Sequence, residues 1–174
     1  MNPNSIFLDR DGVINVKAPE GDYIKSIDEL HLLSHVGEAI RLLNESGYNV
    51  IVITNQRGIA LKKMTMDDVL SIHNQINKEL AGEQAHIDDF FICPHDKGVC
   101  HCRKPEIGLF LQAEKKYPVI RESSYMIGDS PSDIKAGHNY GLRSIAVHNP
   151  VPEADYYAED LLQAVQLILK NREK

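Results

Sequence analysis

The chain has 174 residues, 43% apolar and 25% charged, with a formal net charge of −6. That length suits one domain with a substantial core, and the interspersed acidic excess argues against a nucleic-acid-binding surface. No basic and apolar leader opens the chain, no apolar run nears a membrane span, and three cysteines make no disulfide framework. The expectation is one cytoplasmic domain over residues 1–174, a monomer engaging neither membrane nor nucleic acid.

Short apolar runs alternate with helix-length segments, the pattern of β-α-β units around a parallel sheet. Ser5 to Leu8 reads as the first strand, and Asn15 to Leu33 after it fits no element. Val36, Ala39, Ile40 and Leu43 mark one face of a helix from Val36 to Ser46, stopped at Gly47. The β-branched run Asn49 to Thr54 suits a strand covered on both faces. Thr65 is the N-cap of a second helix, with Asp67 and Asp68 at its positive end. Asp88 to Cys93 is the third strand, and Pro94 to Glu106 fits no element.

A helix from Gly108 to Tyr117, closed by Pro118, leads to a fourth strand at Tyr125 to Ile127. Ser132 to Tyr140, followed by Gly141, is the next helix, and Arg143 to Val147 the fifth strand. Tyr156 and Tyr157 are expected to pack the last helix, Asp160 to Lys170. His31, His35, His73, His86, His138 and His148 lack ligand spacing and read as surface or helix-face residues.

Ligands of an open parallel sheet bind beyond the carboxyl ends of its strands. Three of these strands run into Asp9-Arg10-Asp11-Gly12, Thr54-Asn55-Gln56 and Gly128-Asp129, with Asp133 a helical turn beyond the last. Carboxylates one residue apart on an extended end point the same way, and convergence with Asp129 calls for a neutralising cation. A hard divalent ion such as Mg²⁺ fits oxygen ligands and keeps room for phosphate. A carboxylate beside a metal-held phosphoryl group can attack phosphorus, and a second can move the proton.

Asp9-Arg10-Asp11-Gly12-Val13, Thr54-Asn55-Gln56, Arg103-Lys104-Pro105 and Gly128-Asp129-Ser130-Pro131-Ser132-Asp133 together resemble the four ordered motifs of the haloacid dehalogenase (HAD) superfamily. The resemblance spans Ile6 to about Ala146 and implies a Rossmann-like α/β fold, a mainly parallel sheet with helices on both faces. It implies Asp9 as nucleophile and Asp11 as general acid/base, with Thr54 and Lys104 holding the transferring phosphoryl group. Mg²⁺ would be bound by Asp9, Asp129 and the Asp11 backbone carbonyl, with Asp133 supporting the site from behind.

All three cysteines lie in Cys93-Pro94-His95-Asp96-Lys97-Gly98-Val99-Cys100-His101-Cys102. Cys93, His95, Cys100 and Cys102 have a spacing that can close on a tetrahedral Zn²⁺, with His101 pointing away. A disulfide and three free thiols are the competing readings. A structural zinc would steady this loop directly ahead of Arg103 and Lys104.

With that loop, the pattern resembles the heptose 1,7-bisphosphate 7-phosphatase family, with the histidinol-phosphatase domain a close relative. That resemblance implies no separate cap, and neither unassigned stretch is long enough to be one. It implies substrate contacts from Gly21, Asp22, Tyr23 and Ile24, from Asn55, Gln56 and Arg57, and from Arg103, whose fork suits a second phosphate. The substrate class is then a phosphorylated sugar. Alternatives are a histidinol-phosphate or other small polyol-phosphate phosphatase and, in a different class, a non-catalytic zinc-stabilised interaction domain. Ser130, Leu61-Lys62-Lys63 and the short loop between His95 and Cys100 depart from the family pattern.

Overall fold

The computed structural model describes residues 4–172; the first three residues, on which the expectation of no leader partly rests, lie outside them. Six strands form one sheet in the order β3-β2-β1-β4-β5-β6, every adjacent pair parallel. They are β1 Ser5–Leu8, β2 Asn49–Asn55, β3 Asp89–Cys93, β4 Tyr125–Gly128, β5 Arg143–Val147 and β6 Tyr156–Ala158. The helices are α1 Val36–Glu45, α2 Met66–Ala81, α3 Gly108–Glu114, α4 Pro131–Tyr140 and α5 Leu161–Arg172.

Strand alternation divides the core. Ile6, Leu8, Val50 and Val52 face one side with Ile40, Leu43, Ile72, Ile76 and Val165 of α1, α2 and α5. Phe7, Ile51, Ile53 and Met126 face the other, with Leu109 and Phe110 of α3 and Ala136 of α4. Phe7 meets Phe110 edge-on at 5.0 Å, and Phe110 stacks on Tyr140 at 4.7 Å.

Local chemistry sets the helix starts. Thr65 accepts from the Asp68 amide while the Asp68 carboxylate takes the Thr65 amide, a reciprocal cap on α2. Ser130 is extended before α4 and Pro131 takes the first helical position, so the helix begins one residue earlier than expected. Gly141 ends it at φ 94°.

One expectation is extended and one corrected. Tyr156 packs against the core that Leu161 and Val165 of α5 help to form, and with Tyr157 it also belongs to an edge strand paired with β5, through Ile145 with Tyr156 and Ala146 with Tyr157. Three residues are too few to show a period, and their partner strand, not their own pattern, makes them a strand. His73 is a core residue at 4% exposure. It sits on the α2 face of Val69, Ile72, Ile76 and Leu80, and its ring stacks on Phe90 of β3 at 4.2 Å. Among the described residues no helix is long and apolar enough to cross a membrane.

Candidate active site

The order of the sheet reverses between β1 and β4, and the carboxyl ends of these strands form the crevice where such folds bind ligands. β1 delivers Asp9, whose amide donates to the carbonyl of Ile127 at 3.0 Å. β4 delivers Asp129 one residue past its end, and β2 delivers Thr54.

Asp9, Asp129 and Asp133 bring carboxylate oxygens within 4.8 Å of one another. Lys104 is buried among them, donating to Asp9 Oδ1 at 2.8 Å, Asp133 Oδ1 at 2.7 Å and the Ile53 carbonyl at 2.9 Å. Burial lifts the Asp9 carboxyl well above its usual range; Asp133 adds to the rise, Lys104 opposes it, and Asp129 adds again. Burial alone would raise Asp133 too, but Lys104 outweighs it and holds that carboxyl low. Asp133 Oδ2 accepts from Ser130 Oγ at 2.8 Å and from the Asp129 amide at 3.2 Å. Both its oxygens are therefore engaged, and Asp133 acts as the strut that holds Lys104 against Asp9.

Asp129 Oδ1 is buried without a hydrogen-bond partner among the described residues. A buried lone oxygen beside other carboxylates fits a hard cation. Gly12 makes room for it: at φ +86° its missing Cβ would stand 2.2 Å from Asp129 Oδ2. Lys17 reaches Asp129 Oδ2 at 2.5 Å from a half-exposed stem, a contact that nothing in the motif spacing announces.

Asp11 points elsewhere. Oδ1 accepts from Arg10 Nη2 at 2.9 Å and Asn15 Nδ2 at 3.0 Å, and Oδ2 from Gln56 Nε2 at 2.9 Å. Burial favours its neutral form, yet the Arg10 charge and these donors keep the carboxyl below its usual value. Gln56 also donates to Thr54 Oγ1 at 2.8 Å, tying the second strand end to the first.

The four expected zinc ligands converge. Cys93 Sγ lies 3.7 Å from both His95 Nδ1 and Cys100 Sγ, and His95 Nδ1 lies 3.2 Å from Cys102 Sγ. Tetrahedral zinc with Zn–S bonds of about 2.3 Å sets sulfurs about 3.8 Å apart. Burial and the neighbouring thiols push the Cys102 thiol up, and burial raises Cys93, whereas burial of Cys100 is outweighed by hydrogen bonds from the Arg103 and Cys102 amides, which lower it.

The profile of the HAD-hydrolase-like family matches residues 101–165. A D-glycero-beta-D-manno-heptose-1,7-bisphosphate 7-phosphatase of Rhodopseudomonas palustris is 39% identical over 144 residues, 78% of each chain. The chain belongs to the heptose-1,7-bisphosphate 7-phosphatase family. A relative from Campylobacter jejuni, named for the alpha form of the sugar, is 32% identical over 160 residues, 91% of each chain. The crystal structure of D,D-heptose 1,7-bisphosphate phosphatase from B. bronchiseptica, complexed with magnesium and phosphate, superposes with a TM-score of 0.89. It is 29% identical, covering 97% of this chain and 99% of its own.

In this chain the expected substrate residues divide among several surroundings. Gly21, Asp22, Tyr23 and Ile24 line a cavity of about 220 Å³ together with Asp11, Lys17, Asn55 and Gln56. Asn55 also clamps the Lys104 backbone, accepting its amide at 3.0 Å and donating to its carbonyl at 3.2 Å. Arg103 lines a neighbouring cavity of about 370 Å³ with Lys97, Lys104 and Ser132, and its Nη1 is buried with no partner among the described residues. Arg57 instead ion-pairs with Asp96 of the cysteine loop at 2.5 Å. Sequence reasoning passed over Lys17, Asn15 and His73. Only His73 left a signal, a polar residue at a core position of an amphipathic helix.

Proposed function

We propose that this chain removes the 7-phosphate of D-glycero-D-manno-heptose 1,7-bisphosphate, with Asp9 as nucleophile and Mg²⁺ as cofactor. The observation carrying this reading is the Asp9 carboxylate, held by Lys104 beside the orphaned oxygen of Asp129. Asp9, Asp129 and the Asp11 carbonyl would hold the metal, which when bound supplies the positive charge that this acidic crevice and a phosphate need.

The residues then divide the work. Asp9 attacks phosphorus, giving an aspartyl-phosphate as the bond to the sugar oxygen breaks; Asp11, which takes up a proton once the substrate's phosphate charge beside it offsets Arg10, gives that proton to the leaving oxygen. Asp11 next takes a proton from the water that hydrolyses the intermediate. Lys104 and the Thr54 hydroxyl hold the equatorial phosphoryl oxygens, where charge spreads in the transition state. Its fork fits Arg103 for the substrate's second phosphate, and its unpartnered Nη1 favours a bisphosphate over histidinol phosphate. Cys93, His95, Cys100 and Cys102 would take a structural zinc. The one continuous sheet supports a single domain without a cap.

The test is steady-state kinetics on both anomers of heptose 1,7-bisphosphate, fructose 1,6-bisphosphate and histidinol phosphate, with Asp9→Asn as control. The heptose should lead by kcat/KM and Asp9→Asn should be inert. Preference for histidinol phosphate would sink the substrate assignment; equal background rates in both proteins would leave a binding module.

A further inference from the structure

Arg10 lies between the two motif carboxylates, is completely buried, and is among the largest fully buried side chains of the protein. A guanidinium carries only donors and stays charged, so each of its groups needs an acceptor in place. Nη2 has Asp11 Oδ1 at 2.9 Å, and Nη1 has His73 Nε2 at 3.2 Å. Nε has no partner among the described residues. His73 is therefore one of two side chains that fix the Arg10 plane, and the other is the proton-transfer group itself.

The chemistry of the pair assigns the tautomer. A guanidinium cannot accept, so Nε2 of His73 is the bare acceptor nitrogen and the ring proton sits on Nδ1. Stacking on Phe90 at 4.2 Å and 15° between planes holds the imidazole edge toward Arg10. Phe90 is on β3 and His73 on α2, so two elements far along the chain reach the residue next to the nucleophile.

We infer that His73 is a positioning residue for the phosphatase reaction, fixing Arg10 through its acceptor Nε2 so that Arg10 holds the Asp11 carboxyl at the leaving oxygen. The inference rests on the phosphatase reading above. Asn15 donates to the same Oδ1 as Arg10 and Gln56 to Oδ2; without His73 the Arg10 plane is free to turn, and the Oδ1 contact it shares with Asn15 shifts with it. An ångström of misplacement at a proton-transfer group is enough to remove much of its effect.

Leaving-group dependence separates this role from a merely structural one. An alkyl phosphate such as heptose 1,7-bisphosphate needs the proton that Asp11 gives, whereas p-nitrophenyl phosphate, with its acidic leaving group, does not. The measurement is kcat/KM, which reports only through departure of the leaving group. His73→Phe keeps the ring stacking and loses the acceptor; His73→Gln keeps an acceptor at the reach of Nε2.

His73→Phe should lose about 30-fold or more on heptose bisphosphate and less than about 3-fold on p-nitrophenyl phosphate, with His73→Gln near wild type on both. His73→Leu gives the same comparison should the phenylalanine not pack, folding being checked by near-UV circular dichroism. Equal losses on both substrates, a His73→Gln as impaired as His73→Phe, or no loss at all would overturn the inference while leaving the phosphatase reading intact. A wild type inert on both substrates would remove the reading and the inference together.

Discussion

Lys17 and Asp129 form an ion pair of 2.5 Å across the mouth of the crevice, the lysine half-exposed and the aspartate nearly buried. The ammonium thus neutralises the carboxylate that has the one orphaned buried oxygen of the acidic cluster. Lys104 serves the deeper pair, Asp9 and Asp133.

A tethered ammonium on Asp129 competes with a divalent ion for the same carboxylate. Lys17→Met should bind Mg²⁺ several-fold tighter by isothermal titration calorimetry and should gain more in Tm on adding Mg²⁺ than wild type does. Unchanged Mg²⁺ affinity would mean the pair plays no part in metal uptake.

Asp133 holds Lys104 and closes the first turn of α4 through Ser130 and the Asp129 amide. Removing one member of a buried charge network leaves its partner uncompensated. Asp133→Ala should cost about 3 kcal/mol in urea unfolding and lower kcat more than tenfold, because Lys104 loses its strut. Full activity in the folded variant would separate Asp133 from the site.

Gly58 lies under the ring of Tyr23: a Cβ there would stand 2.9 Å from Tyr23 Cγ and 2.9 Å from Met64 Cε. Lys63 buttresses the same loop, donating to the Gly21 carbonyl at 3.1 Å. Gly58→Ala should push Tyr23 into the adjoining cavity, raising KM several-fold with kcat nearly unchanged. A fall in kcat at constant KM would place the effect in the chemistry instead.

Burial holds the His73 imidazole neutral, with the Arg10 charge adding and Asp11 opposing, so its pKa drops from 6.5 to about 3. The unfolded chain takes up this proton near pH 6.5 and the folded chain only near 3. Between those values the unfolded state binds more protons, so the contribution is full above pH 6.5 and drains as pH falls toward 3. Urea unfolding across that window should show wild type losing stability more steeply than His73→Gln, by on the order of a few kcal/mol. Parallel slopes would show that His73 titrates normally.

Purified protein should carry about one equivalent of zinc, held by three thiolates and an imidazole. Stripping it with a strong chelator should lower Tm, expose all three thiols to a disulfide reagent, and cut activity through the loop that leads to Arg103 and Lys104. Thiols equally reactive before and after chelation would argue for an empty cluster.

Much of the site is legible in the amino-acid sequence. A strand running into Asp-x-Asp-Gly, another into Thr-Asn-Gln and a third into Gly-Asp place polar groups at one sheet edge through the two-residue period and β-α-β connectivity alone. Cys93 to Cys102 lie close in sequence, so their spacing limits where four ligand atoms can meet. These are local properties, and local patterns survive folding.

Partners far apart in the chain meet only on folding. The pattern marks His73 as a helix-face residue; packing α2 beside β3 makes that face core and puts an imidazole 63 positions away against Arg10. The resemblance marks Arg57 for substrate; the turn after β2 also pairs it with Asp96, 39 positions away. Tyr156 became a strand because the exposed edge of β5 supplied the hydrogen bonds its own three residues could not foretell. Lys17, in a stretch with no readable pattern, reaches Asp129 across Gly12, where a Cβ would stand 2.7 Å from Lys17 Cε. Which acids stand at the strand ends follows from backbone periodicity, which is local; the cations and the imidazole that attend them were chosen by packing, which is not.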